Sequence, residues 1–190
     1  RYTNFFGLKN FSLEGDLFFT EKEKEKIESL LPKKDFILIQ PSAKYGSRFY
    51  PFEKFQNIVN KLKDKIQFVQ ISPSKFANQD LKFLDNVIII KDVFSYRESI
   101  YFSKFSKLCL VNHGGMSIGI SCFKTPSIVI YPGLYRPKMW CYDSEIKIEI
   151  CDETHQSCGN FLNGCKICDK FYLKHDENII INKINEFLEK

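Results

Sequence analysis

No run of apolar residues in this sequence approaches the roughly 18 that a membrane-spanning helix requires, and no cleavable-signal pattern precedes the first structural element. A transmembrane segment is therefore not expected. Low-complexity tracts and internal repeats are also missing, which argues against a disordered or solenoid chain. No single block of basic residues is present either. The formal charge of +5 is spread over lysine-rich stretches with acidic residues interleaved, so nucleic acid is not the inferred partner. A mild positive balance suits a phosphate-bearing ligand or an anionic membrane surface, and a solvated lysine-rich surface accounts for it equally well. Arg1 rather than methionine opens the chain, which is read here as a piece of a longer protein. The expected location is cytoplasmic, with attachment to the periphery of a membrane as a variant of that reading.

The 190 residues, 44% of them apolar, are enough for one sizeable core. Phe36 to Gln40 is a short apolar run, and Pro51 then opens a segment in which Phe52, Phe55, Ile58, Val59 and Leu62 recur at helical spacing. The alternation repeats. Ile66 to Ile71, Val87 to Ile90, Leu108 to Asn112, Ser127 to Tyr131 and Ile146 to Ile150 read as strands. Ser95 to Glu98 has the form of a capping box before a further helix, as does Thr20 to Glu23 near the start, and Asp176 can cap a final helix. Strands alternating with helices imply an α/β fold, a Rossmann-like parallel sheet with helices on both faces. Residues 1–34 are read as connector and helix, 35–150 as the Rossmann-like core, 151–174 as a cysteine-rich excursion of little regular structure, and 175–190 as the C-terminal helix.

In open parallel sheets ligands bind beyond the carboxyl ends of the strands. The first such end, Gln40 to Arg48, offers the Ser42 hydroxyl, the cations Lys44 and Arg48, and the flexible Gly46, a set suited to a diphosphate. A solvated connecting loop uses the same residues. At another strand end, Asn112-His113-Gly114-Gly115 turns from strand into helix and leaves backbone amides at the helix start, which favours an anion. His113 can donate to a phosphate or a sugar hydroxyl. A tight packing turn also uses paired glycines. A third end carries Gln70 and Ser72, able to bond a base or ribose.

The order Gln40-Pro41-Ser42, Arg48-Phe49-Tyr50-Pro51, Val69-Gln70-Ile71, Phe94 to Glu98, Asn112 to Gly115 and Thr125 to Gly133 resembles the carboxyl-terminal half of glycosyltransferase family 9, the heptosyltransferase-like enzymes. The resemblance spans roughly the whole chain and implies one half of a GT-B type glycosyltransferase. A nucleotide-sugar donor, a glycan or lipid-linked acceptor and an amino-terminal acceptor domain are the implied partners. In the family a lysine before an aromatic-proline step helps bind donor phosphates; Arg48 stands there. An acidic residue, a small residue and glycine usually occupy the later strand end, with a histidine farther along; here His113, Gly114, Gly115 and Ile118 take those places. Lys75 stands near the family's acidic ribose contact. The family's general base belongs to the amino-terminal domain, so no catalytic residue is nominated, and no cofactor is required for catalysis. The alternatives are a non-catalytic Rossmann-like binding module and another two-Rossmann sugar-nucleotide enzyme such as an epimerase.

Cys109 and Cys122 sit in apolar runs and read as ordinary thiols. Cys151, Cys158, Cys165 and Cys168 crowd into one segment as C-x6-C-x6-C-x2-C. Four thiolates can hold a structural zinc, with His155 able to replace one sulfur. Free thiols and, in an oxidising compartment, disulfides are the other readings.

Overall fold

The computed structural model describes residues 17–42, 50–72, 75–76, 79–80, 82–131, 145–150 and 166–189, with the backbone alone at 75–76, 79–80, 166 and 168. Six strands form one sheet: β1 (Phe36–Gln40), β2 (Gln67–Ser72), β5 (Ile88–Lys91), β6 (Leu108–Asn112), β7 (Ser127–Tyr131) and β8 (Glu145–Glu149). Their spatial order is β5-β2-β1-β6-β7-β8, and every neighbouring pair is parallel. Two short strands, β3 (Lys75–Phe76) and β4 (Gln79–Asp80), make a separate antiparallel pair that periodicity does not predict.

Successive side chains of a strand face opposite ways, and both faces here are covered. Ile37, Ile39, Leu108, Leu110, Ile128 and Ile130 join one cluster, packed under α2 (Phe52–Leu62), α5 (Lys166–Lys174) and α6 (Asn178–Leu188). The residues between them, Leu38, Cys109, Val111, Val129 and Tyr131, join the second cluster. That side carries α1 (Glu21–Glu28), α3 (Tyr96–Ser103) and α4 (Gly115–Ser121). Burial on both faces is why these strands read as continuous apolar runs.

The helix starts follow their local chemistry. Thr20 and Ser95 each close a reciprocal capping box, with Glu23 and Glu98. Asp176 accepts from the Asn178 amide at 3.0 Å, satisfying one of the orphan donors at the start of α6. Along the seam between α2 and α6, Lys61 donates to Asn178 at 2.7 Å and Lys65 to Asn185 at 2.8 Å. The helix expected after Thr20 forms as α1 and packs on the sheet, with Ile27 fully buried in the second cluster.

One expectation is corrected. Residues 166–174, placed in an excursion of little regular structure, form α5, with Tyr172 buried while Ile167 and Leu173 are exposed. Apolar side chains on opposite sides of the helix erase the one-faced stripe that a sequence pattern depends on. Among the described residues no helix is long and apolar enough to cross a membrane.

Candidate functional site at the switch between β1 and β6

Strands β2 and β5 extend the sheet from one side of β1, and β7 and β8 extend it from the far side of β6. The connections after β1 and β6 therefore leave in opposite senses, which makes this the topological switch point, where sheets of this kind bind ligands in a crevice. Ser42 lies two residues past β1, partly buried, and His113, Gly114 and Gly115 follow β6 directly. The structure thus brings Ser42, Asn112, His113, Gly114 and Gly115 to neighbouring strand ends. Lys44 and Arg48 fall outside the described residues, in the stretch between Ser42 and Tyr50.

Asn112 holds both ends of that stretch. Its Nδ2 donates to the Pro41 carbonyl at 2.9 Å, and its Oδ1 accepts from the Tyr50 amide at 3.3 Å. A short amide side chain fits because it carries one donor and one acceptor in a single plane. Asn112 thus clamps the main chain at both ends of the connection. Tyr50 itself is buried, and its hydroxyl lies 2.9 Å from His175 Nδ1.

Gln70 is placed differently from its expected role. It is fully buried, its amide nitrogen donates to Lys82 O at 3.2 Å, and its Oε1 accepts from Leu84 N at 2.9 Å. The side chain fastens the segment before β5. Ser72, at the end of the same strand, is also buried.

His113 continues β6, donating its amide to Ile130 O at 2.9 Å. Its ring is buried and stacks on Tyr131 with centroids 4.6 Å apart, and the Tyr131 hydroxyl donates to Glu145 at 2.5 Å. The imidazole thus packs beside Tyr131 of the second cluster.

At the start of α4 the Gly114 amide donates to Ser117 Oγ at 3.2 Å, so one of the two amides expected to meet an anion has an internal partner. A Cβ on Gly115 would stand 2.6 Å from the Tyr96 hydroxyl, and Tyr96 is exposed. Gly119 is enclosed more firmly: a Cβ there would lie 2.4 Å from Ile100 Cδ1 and 3.0 Å from Ile100 Cγ2. Both glycines let α4 approach α3, Gly119 against Ile100 and Gly115 against the Tyr96 hydroxyl.

Cys151, Cys158 and Cys165 lie outside the described residues, and Cys168 is known only as the third residue of α5. Cys109 is an inert thiol: burial, partly offset by the Ser106 hydroxyl, pushes it up to about 12.

No family model and no curated protein matches the sequence. Solved structures do. A glycosyl transferase family 9 protein from Veillonella parvula superposes with a TM-score of 0.65 at 15% identity, over 88% of this chain and 50% of that one. The ADP-heptose lps heptosyltransferase II of E. coli gives 0.64 at 14% identity, over 90% of this chain and 53% of the other. The chain has the fold of one half of a family 9 heptosyltransferase. The E. coli heptosyltransferase WaaC with ADP gives 0.63 at 12% identity, over 98% of this chain and 54% of that one. The chain thus spans about half the length of the glycosyltransferases it matches, and its Rossmann-like sheet corresponds to half of their GT-B architecture.

Proposed function

We propose that the chain is the donor-binding, carboxyl-terminal half of a glycosyltransferase, holding a nucleotide-diphosphate sugar beyond the carboxyl ends of β1 and β6. The observation that carries this reading is the switch-point crevice, with the two ends of the Lys44- and Arg48-bearing connection clamped there by Asn112. Likeness in fold to heptosyltransferases, one solved with ADP, supports it.

Sugar transfer with inversion needs the acceptor hydroxyl deprotonated as it attacks the anomeric carbon, while the departing nucleoside diphosphate is stabilised electrostatically. The second task falls to this chain. Lys44 and Arg48 supply charge-assisted donors to the diphosphate, the Gly115 side of α4 admits it closely, and Ser42 adds a hydroxyl. The base that deprotonates a glycan or lipid-linked acceptor belongs to a partner domain, in the cytoplasm or at a membrane periphery. The chain alone then binds donor and does not turn over at a normal rate.

A non-catalytic binding module is the second reading. It is favoured by the engagement of Gln70 and Asn112 with the main chain and by the burial of His113 against Tyr131. Titration with UDP-, GDP-, ADP- and CMP-linked sugars separates the two. Saturable binding of a diphosphate-linked sugar supports the transferase reading, and binding of none favours the module.

A further inference from the structure

The fold joins the donor crevice to a place far from it in sequence. Tyr50 ends the connection that begins at Pro41, and its amide rests on Asn112 Oδ1 at 3.3 Å. Its ring passes into the first core cluster, edge-on to Phe55 and Tyr172, and emerges with its hydroxyl 2.9 Å from His175 Nδ1. His175 lies in the turn between α5 and α6. Its amide donates to Phe171 O at 2.9 Å, and its own carbonyl accepts from Lys54 Nζ of α2. Lys54 also pairs with Glu177 at 3.2 Å.

We infer that Tyr50 and His175 are positioning residues for the donor site: the Tyr50 hydroxyl, donating to His175 Nδ1, holds the neck of the β1–α2 connection against Asn112. The inference rests on the reading of the crevice as a donor site. The proposal takes the Nε2–H tautomer of His175, in which Nδ1 accepts from the Tyr50 hydroxyl. Burial, then the nearby Glu177 and Asp176 carboxylates, keep the Tyr50 phenol protonated far above neutrality. Burial and the Lys54 ammonium hold His175 below the ordinary 6.5, against the opposing pull of Asp176 and Glu177. A neutral imidazole with its proton on Nε2 leaves Nδ1 to accept. Once protonated, the ring presents N–H at both nitrogens, and the Tyr50 hydroxyl has to turn from donor to acceptor, leaving its own buried proton without the Nδ1 partner. The groups around His175 are thus Tyr50 from the β1–α2 connection, Lys54 from α2, and Asp176 and Glu177 from its own turn.

The test follows the Tyr50 amide by hydrogen exchange in the intact chain, from neutral pH to below 6.5, alongside its affinity for a nucleotide-diphosphate sugar. In the wild type the Tyr50 protection factor falls about tenfold on protonation of His175, the size expected for one net hydrogen bond, and donor affinity falls with it. Tyr50→Phe lowers protection at every pH. His175→Asn places a non-titrating carbonyl near the position of Nδ1, so it keeps protection and flattens the pH profile. Protection in Tyr50→Phe equal to wild type, or a His175→Asn profile parallel to wild type, overturns the inference. If the amide profiles follow the scheme while no nucleotide sugar binds to any variant, the coupling stands and the donor reading falls. If nucleotide binds normally and the amide profiles are flat, the coupling falls alone.

Discussion

Glu23 and Glu98 do the same two tasks on facing helices. Each closes the capping box of its own helix, and each accepts an ion pair from the other: Glu23 from Arg97 at 2.9 Å, Glu98 from Lys26 at 2.8 Å. Arg97 also lies over the Phe19 ring, 4.5 Å from its centroid. The arrangement joins α1 to α3 and so to the core. Glu98 is the less exposed of the two carboxylates, and Glu98→Ala removes a cap and a half-exposed ion pair together. A loss of about 1–2 kcal/mol is expected in denaturant unfolding, most of it from the cap.

Acid should loosen the same seam. Bonds from Arg97 and Thr20 hold Glu23 down to about 2 from the ordinary 4.5, and bonds from Lys26 and Ser95 lower Glu98. A carboxylate lowered on folding stabilises above its unfolded pKa, and the contribution is lost as pH falls through the folded one. Urea midpoints should therefore drop as pH falls below 4.5, and less steeply in a Glu23→Gln/Glu98→Gln double variant. Parallel curves would contradict the assignment.

The two glycines of α4 should separate folding from binding. Gly119→Val drives methyl groups into Ile100 and should cost about 1–3 kcal/mol or more. Gly115→Val meets the outer end of exposed Tyr96, which can swing aside. The domain should stay folded while nucleotide affinity is abolished. Unchanged affinity in Gly115→Val would place the donor elsewhere.

Gln70→Leu tests the structural role that replaces its expected ligand contact. Lys82 O and Leu84 N both lose their partner, and a leucine of similar size leaves the Leu84 amide buried and unpaired at a cost of about 1–3 kcal/mol. Calorimetric unfolding reads that loss directly. A variant as stable as wild type but defective in nucleotide binding would return Gln70 to the ligand.

Much of the fold was legible because its signals are local. The apolar runs of β1, β6 and β7 occur at their expected positions, and the caps at Thr20 and Ser95 depend on neighbours three residues away. The site was legible only in outline. A polar residue at a strand end looks the same in sequence whether it faces a ligand or its own backbone. Asn112 turns to Pro41 and Tyr50, and Gln70 to a segment beyond the next connection. The contact between Tyr50 and His175 spans 125 positions and leaves no mark on any local pattern.

The cysteine tetrad makes a claim independent of sugar transfer. Cys165 and Cys168 straddle the start of α5, and with Cys151 and Cys158 they would supply four thiolates for a structural zinc that folds this segment against the core. Protein purified without added metal should contain about one equivalent of zinc, lost in a Cys165→Ser/Cys168→Ser variant. A metal-free, folded protein would remove the zinc and leave the donor site untouched.

Calorimetric titration of the chain and its Arg48→Ala variant with UDP-, GDP-, ADP- and CMP-linked sugars tests the central claim most directly. On the proposed reading Arg48 meets the donor diphosphate, so at least one diphosphate-linked sugar should bind saturably to the wild type. Arg48→Ala should weaken that binding roughly tenfold or more, as loss of a charge-assisted phosphate contact requires. The monophosphate-linked CMP sugar should bind less well than the preferred diphosphate donor. Absence of binding to every nucleotide sugar, or equal affinity with and without Arg48, would contradict the account.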